Sequence, residues 1–186
     1  MRKSQISVMM LCFLAVVTLG SFKSMKEHGP SAKVDAMVKN WERAKAYTQE
    51  YLNATTEEVI AFKPTPEMRT FGQQMLHLAE ANYGFGSAAS GKASPVSFGA
   101  LEKASDQYKT KEALSKAVMD SYDFVIAALR DMDETRMTEN IKMFNRFELT
   151  RDEAFQKAFE HQTHHRGQTT VYLRLKGVTP PNEKLF

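Results

Sequence analysis

Cysteine is nearly absent from this sequence, and its scarcity excludes several kinds of chemistry. The 186 residues contain one cysteine, Cys12, which lies within an apolar N-terminal stretch. If that stretch is removed, the mature chain has no thiol for a disulfide, a thiolate metal site or a cysteine nucleophile. Cys12 follows "MML" and not the small residues that precede the cysteine of a lipoprotein, so we expect no lipid anchor.

Glycine, proline and excess charge are also scarce. Nine glycines and six prolines, beside 11 methionines and 12 phenylalanines, favour a helical protein. The formal net charge is +3, of which Arg2 and Lys3 supply two. Because the mature chain would be nearly neutral and has no basic stripe, we do not expect it to bind nucleic acid.

The N-terminus has the pattern of an export signal. "MRK" supplies positive charge, and the largely apolar "ISVMMLCFLAVVTLG" that follows is shorter than the roughly 20 residues of a spanning helix. We predict a cleaved signal peptide at residues 1–22, a linker at 23–33 and a periplasmic or secreted protein without stable membrane insertion. An uncleaved N-terminal anchor is the alternative.

Residues 34–186 have the periodicity of one helical domain. Apolar residues recur every three or four positions in four segments, which predicts an all-α fold, a four-helix bundle. The helices are expected from Val34 onward and at 67–85, 111–132 and 151–176. Thr150 and Glu153 form a predicted capping box for the last helix, and Gly177 a stop. Residues 84–95 are predicted as a loop, and 137–150 as a short hairpin or an irregular connection.

Three of the five histidines lie in "EHQTHHRGQ", residues 160–168. His161 and His165 are four positions apart, so their side chains lie on the same side of a helix. At about 100° per residue, His165 points roughly 40° from His161 toward the core, and His164 roughly 60° the other way. The spacing of His161 and His165 suits two ligands of one metal ion. Such a pair can equally be solvated or hydrogen-bonded within a core.

A third ligand would have to come from another helix, and His77 is the available histidine. It lies at the edge of the apolar stripe of the second predicted helix. Three neutral imidazoles leave one or two coordination positions open, as in catalytic metal centres. Imidazole suits zinc, nickel, iron(II) and copper(II), so the residues alone do not identify the divalent metal ion.

The segments around these histidines resemble the DinB/YfiT family of four-helix-bundle metal-binding proteins. The likeness rests on "FGQQMLHLAEANYGF" and "HQTHHRGQTTVYLRLKGVTPP", and it extends from about residue 35 to 181. It implies that the metal ligands are His77, His161 and His165. It also implies a reaction in which a low-molecular-weight thiol is transferred to an electrophile, or a metal-dependent hydrolysis.

Other residues near the motif have simpler interpretations. We interpret Gly167 as a point of close helix approach, and Arg166 and Gln168 as structural. Glu80 is either a carboxylate that supports the site, a general base or a solvated charge on the helix face. Trp41 is predicted to anchor the core.

Three classes of function follow. The first is a metal-dependent S-transferase or hydrolase acting on a small-molecule substrate or thiol, with zinc, nickel or iron as candidate ions. The second is a non-catalytic metal- or ligand-binding helical module, and the third a helical interaction protein without metal. The sequence has no phosphate-binding loop and no serine–histidine–acid set, it assigns no catalytic residue, and it leaves a homodimer open.

Overall fold

Four long helices dominate the computed structural model, which describes residues 31–186. The elements in chain order are α1 (Ala32–Ala54), α2 (Glu57–Ala61), α3 (Phe71–Ser90), α4 (Ala100–Lys103), α5 (Lys111–Arg130), β1 (Asn140–Met143), β2 (Phe147–Thr150) and α6 (Arg151–Leu175), with 3-10 helices at Ser105–Tyr108 and Glu134–Thr138. The predicted helical bundle is confirmed. The predicted signal peptide, residues 1–22, lies outside the described residues, and within residues 31–186 no helix is long and apolar enough to span a membrane.

Each long helix begins at a hydroxyl residue. The side chain of this residue accepts a hydrogen bond from a backbone N–H three positions later, at Ser31, Thr70, Thr110 and Thr150. This bond satisfies one of the N–H groups that have no partner within the helix. The predicted capping box of Thr150 and Glu153 is confirmed.

The boundaries of α3 differ from the prediction of residues 67–85. Thr70 and Gln73 form a capping box that starts the helix at Phe71, so Pro66 lies in the preceding turn. The helix continues to Ser90, and Gly91, at φ 80°, ends it in the left-handed region that glycine adopts without strain. The predicted loop at 84–95 was therefore wrong over its first half.

The core lies between α1, α3, α5 and α6. Helix α3 packs against both α5 and α6, and α1 packs against α5. Trp41 is fully buried, with its ring edge-on to Tyr122 at 5.7 Å and to Phe159 at 5.5 Å. The periodic apolar positions of α1 that begin at Val34 are buried, apart from Met37, which is partly buried.

The close helix approach predicted at Gly167 occurs elsewhere. A Cβ placed on Gly167 would meet no atom of residues 31–186 within 4 Å, because Gly167 lines a cavity of about 810 Å³ together with the C-terminal segment. A Cβ on Gly86 of α3 would lie 3.1 Å from Val125 Cγ2 and 3.2 Å from Phe124 Cε1. Gly86 is thus the glycine that lets α3 approach α5.

The segment at 137–150 contains a hairpin that leads directly into α6. β1 and β2 are antiparallel, with Asn140 opposite Thr150 and Met143 opposite Phe147. Thr150 is both the last residue of β2 and the N-cap of α6. The orientation of the hairpin is therefore tied to the helix that carries most of the histidines.

Candidate metal centre

Three histidines from two helices converge in the bundle. His77 on α3 and His161 and His165 on α6 each offer one nitrogen, and these three nitrogens lie within 4.8 Å of one another. The ring centroids are 5.2 Å apart for His77 and His161, 4.6 Å for His77 and His165, and 4.2 Å for His161 and His165. The structure therefore brings together the three histidines that the sequence singles out.

His164 is exposed and lies outside this group. Its Nε2 is 2.8 Å from Nε2 of Gln168, one helical turn further along α6. Its orientation agrees with the helical angle that separates it from His161 and His165.

Glu102 orients His77. Its Oε1 lies 2.7 Å from His77 Nδ1, and its carboxylate also accepts from Arg69, with Nε–Oε2 at 2.8 Å. A carboxylate at Nδ1 holds the proton there and leaves Nε2 free to donate its lone pair. The sequence interpretation missed Glu102, because α4 is a four-residue helix in an irregular connection and has no readable periodicity.

Glu80 is buried, and this excludes its interpretation as a solvated charge. Its Oε1 accepts from the backbone N–H groups of Leu101 at 2.5 Å and Glu102 at 3.1 Å. Glu80 therefore fixes the start of α4, and through it the position of the Glu102 carboxylate beside His77. It acts as a support for the site, one of the roles that the sequence left open.

His165 is held from the opposite helix. Gln74 Nε2 on α3 lies 3.0 Å from His165 Nδ1, and Gln74 also bonds Gln168. Binding an ion through Nε2 requires the proton on Nδ1. A half-turn of the Gln74 amide presents its carbonyl oxygen to that proton, and a half-turn of the Gln168 amide then keeps the bond between the two glutamines. Gln168 is therefore adjacent to the site. Gln74 was not identified from the sequence as a residue that supports it.

Arg166 belongs to the core and not to the histidine cluster. Its Nη1 donates to Gln162 Oε1 at 2.8 Å, and its guanidinium lies 4.5 Å above the ring of Tyr47. Tyr122 donates to the same Gln162 oxygen at 2.9 Å. These contacts support the structural interpretation of Arg166.

Comparison with known proteins agrees with the fold and the motif. A model of the DinB family matches residues 27–185. The chain belongs to the DinB family. It is similar to an uncharacterized Bacillus subtilis protein, YrdA, with 26% identity over 153 residues that cover 80% of this chain and 86% of that protein.

Two solved structures have the same bundle. The crystal structure of a DinB-like protein from Bacillus cereus matches with a TM-score of 0.66 and 19% identity, over 80% of this chain and 96% of that one. A mycothiol-dependent maleylpyruvate isomerase matches with a TM-score of 0.55 and 15% identity, over 72% of this chain and 59% of that one. At these identities the likeness shows the fold alone.

The environment keeps two of the histidines of this DinB-family protein neutral. Burial, with added repulsion from His77, lowers the pKa of His161 from 6.5 to about 4. Burial, followed by repulsion from His161 and His77, lowers the pKa of His165 to about 3. For Glu102, burial opposes ionisation, but hydrogen bonds from Arg69 and His77 outweigh it and lower the pKa. At neutral pH the site therefore combines neutral His161 and His165 with an ionised Glu102.

These residues fit a divalent cation. Neutral imidazoles are the protonation state that binds metal. His161 Nδ1 is buried and has no hydrogen-bond partner among residues 31–186. A buried polar atom without a partner costs free energy, and a bound ion or water at the ring would offset this cost. A second group of potential ligands, His77, Glu80 and Glu102, shares His77. In this second group Glu102 is already engaged by Arg69 and by Nδ1 of His77, and Glu80 accepts from two backbone amides through Oε1, while its buried Oε2 has no partner among residues 31–186. Because Glu102 would have to give up these bonds to bind an ion, the three histidines are the better ligand set.

The stability of the metal-free protein should depend on these two histidines. The pKa of histidine is about 6.5 in the unfolded state, whereas burial lowers the pKa of folded His161 to about 4 and that of folded His165 to about 3. Between these values the unfolded state binds more protons, so the free energy of unfolding decreases as the pH falls from 6.5 toward 3. Above 6.5 both states are neutral and the contribution is fully present.

Urea denaturation of the metal-free protein at pH 7, 6, 5 and 4 measures this effect. The variant His165→Gln, which cannot be protonated at that position, should lose stability less steeply than the wild type as the pH falls. Equal slopes for the two proteins would show that His165 is not held in its neutral form by the fold.

Proposed function

We propose that this protein is an exported metal-dependent enzyme that transfers a small thiol to an electrophile or hydrolyses a small substrate. In this proposal His77, His161 and His165 bind one divalent ion, zinc, nickel or iron. Export rests on the N-terminal sequence pattern alone. The observation that carries the catalytic proposal is the convergence of three imidazole nitrogens within 4.8 Å.

Several features of the site support catalysis over a purely structural ion. Three histidine ligands leave room for an exogenous ligand, as in catalytic centres. A bound divalent ion lowers the pKa of a thiol or water that coordinates it. The mycothiol-dependent isomerase with the same bundle supports a thiol as the co-substrate.

The chain's own residues would position the reacting groups. Glu102 and Gln74 hold the outer nitrogens of His77 and His165, which keeps both rings directed toward each other. Arg69 lies against Glu102 and compensates its charge. Phe85, at 5.7 Å from the ring of His161, helps to keep water away from that side of the cluster.

Cobalt(II) substitution tests whether the site is open. Addition of a small thiol or azide to the cobalt protein should change its visible absorption, because a new donor alters the d–d and charge-transfer bands. The change should saturate at one ligand per protein. The His165→Ala protein under the same conditions is the control, and it should give only the spectrum of cobalt in buffer.

A spectrum that stays constant at saturating thiol, imidazole and azide would mean a closed site. The protein would then be a non-catalytic metal-binding module, and the enzymatic proposal would be abandoned. Elemental analysis of the native protein, purified without a histidine tag, gives both the identity and the stoichiometry of its ion in one measurement.

A further inference from the structure

An apolar pocket lies directly beside the histidine cluster. It has a volume of about 600 Å³, within the range of small-molecule sites. Its walls come from the hairpin, from α3 and from α6, and they include Phe85, Met143, Phe144, Phe147, Leu149 and His161. Because His161 also belongs to the cluster, a ligand in the pocket would reach the candidate metal centre.

Aromatic rings connect the pocket to the cluster. The ring of Phe85 lies 5.7 Å from His161 on one side and 5.6 Å, edge-on, from Phe144 on the other. The line His161–Phe85–Phe144 thus runs from the ligand set to the tip of the hairpin. A planar or extended hydrocarbon group could stack along it.

The lysine and the glutamate that line the pocket neutralise each other. Lys157 and Glu160 on α6 line it, but their side chains form an ion pair of 2.9 Å. Arg146 does not line the pocket, and its guanidinium lies 5.1 Å over the ring of Phe147. Since Lys157 and Glu160 are paired with each other and the rest of the lining is apolar or histidine, the lining favours a neutral group over an ionic one.

The backbone at the tip of the hairpin is strained, and this strain places an aromatic side chain at the pocket. Phe144 and Asn145 have φ values of 51° and 55°. Asparagine tolerates this left-handed conformation, whereas a phenylalanine there costs free energy. Phe144 is also 55% exposed and Phe147 52% exposed. The free energy gained by burying the Phe144 ring is therefore too small to offset its backbone strain. A ligand that covers these rings would supply the missing apolar contact.

We propose that the pocket binds a neutral aryl or alkyl group of the substrate, whose reacting atom then lies at the histidine cluster. The inference deepens the proposed function and rests on it for the reacting end, whereas the apolar end depends only on the hairpin and Phe85. Phe144 is the residue that determines this specificity.

Two matched thiols test the proposal in the cobalt(II) protein. 2-Phenylethanethiol and ethanethiol carry the same donor and differ by a phenyl group. The wild type should bind the phenyl compound at least about tenfold more tightly, as followed by the absorption change, because the phenyl group is removed from water into the apolar pocket. The variant Phe144→Asn should lose most of this preference and retain its affinity for ethanethiol.

Phe144→Asn is a suitable variant because asparagine favours the left-handed turn, so the hairpin should fold at least as well. Phe98→Asn is the control, since Phe98 is 71% exposed and does not line the pocket; it should leave the preference unchanged. A neutral fluorophore, N-phenyl-1-naphthylamine, adds a readout without metal. Its fluorescence should rise on binding to the metal-free wild type and remain low with Phe144→Asn.

The outcomes separate the two proposals. Equal affinities for the two thiols, with a normal absorption change on addition of ethanethiol, would show that the pocket proposal is wrong and would leave the proposed function intact. No response to either thiol, with the fluorophore still bound in a Phe144-dependent manner, would overturn the function and support the pocket. A wild-type dimer that dissociates on Phe144→Asn and excludes the fluorophore would assign the hairpin to self-association, and the pocket proposal would be wrong.

Discussion

Replacement of His165 or His77 by alanine is expected to abolish stoichiometric metal binding, whereas replacement of His164 leaves most of it. His165 and His77 supply nitrogens to the group that lies within 4.8 Å, and their outer nitrogens are held by Gln74 and Glu102. With one of three ligands gone, the remaining pair cannot hold a divalent ion tightly. His164 is exposed and contacts Gln168.

Elemental analysis after gel filtration of untagged protein gives the number of ions per chain. Circular dichroism should show the same helix content in all three variants, so that lost metal is not confused with lost fold. Retention of metal in His165→Ala, together with its loss in His164→Ala, would show that the ligand set is wrong. His161→Ala should behave like His165→Ala.

Removal of the Glu80 carboxylate is expected to weaken metal binding by roughly 10–100-fold without removing a ligand. Glu80→Ala leaves the buried N–H group of Leu101 and the partly buried N–H group of Glu102 without their acceptor. An unsatisfied buried donor costs about 1–3 kcal/mol. The start of α4 should therefore loosen, and the Glu102 carboxylate should no longer be held 2.7 Å from His77 Nδ1.

Glu80→Gln distinguishes support from direct ligation. The amide oxygen of glutamine can still accept from both N–H groups, so Glu80→Gln should retain most of the metal affinity that Glu80→Ala loses. If Glu80 is itself a ligand, as the group with His77 and Glu102 would allow, both variants should lose the ion. Titration with a competing chelator measures the affinities, and Glu112→Ala, which removes an exposed carboxylate on α5, is the control.

Local sequence signals were sufficient for most of the helices and for the separation of His164 from His161 and His165. Amphipathic periodicity and hydroxyl caps act within a few residues, so the position of α6, its capping box at Thr150 and the burial of Trp41 follow from neighbouring positions. The separation of His164 from His161 and His165 depends only on the angle per residue in one helix. The predicted boundaries of α3 were wrong, because Thr70 and Pro66 offer competing starts and glycines inside a helix resemble a loop.

Only the tertiary structure decided which residues support and extend the site. Glu80 reaches Glu102 across 22 positions of the chain and Gln74 reaches His165 across 91, distances at which no local pattern operates. The close approach of α3 to α5 occurs at Gly86 and not at Gly167, because the neighbours of a glycine come from helix packing and not from its own sequence. The apolar pocket likewise exists because β2 runs directly into α6 and holds Phe144 beside Phe85, and the contact between these rings depends on how three separate elements pack.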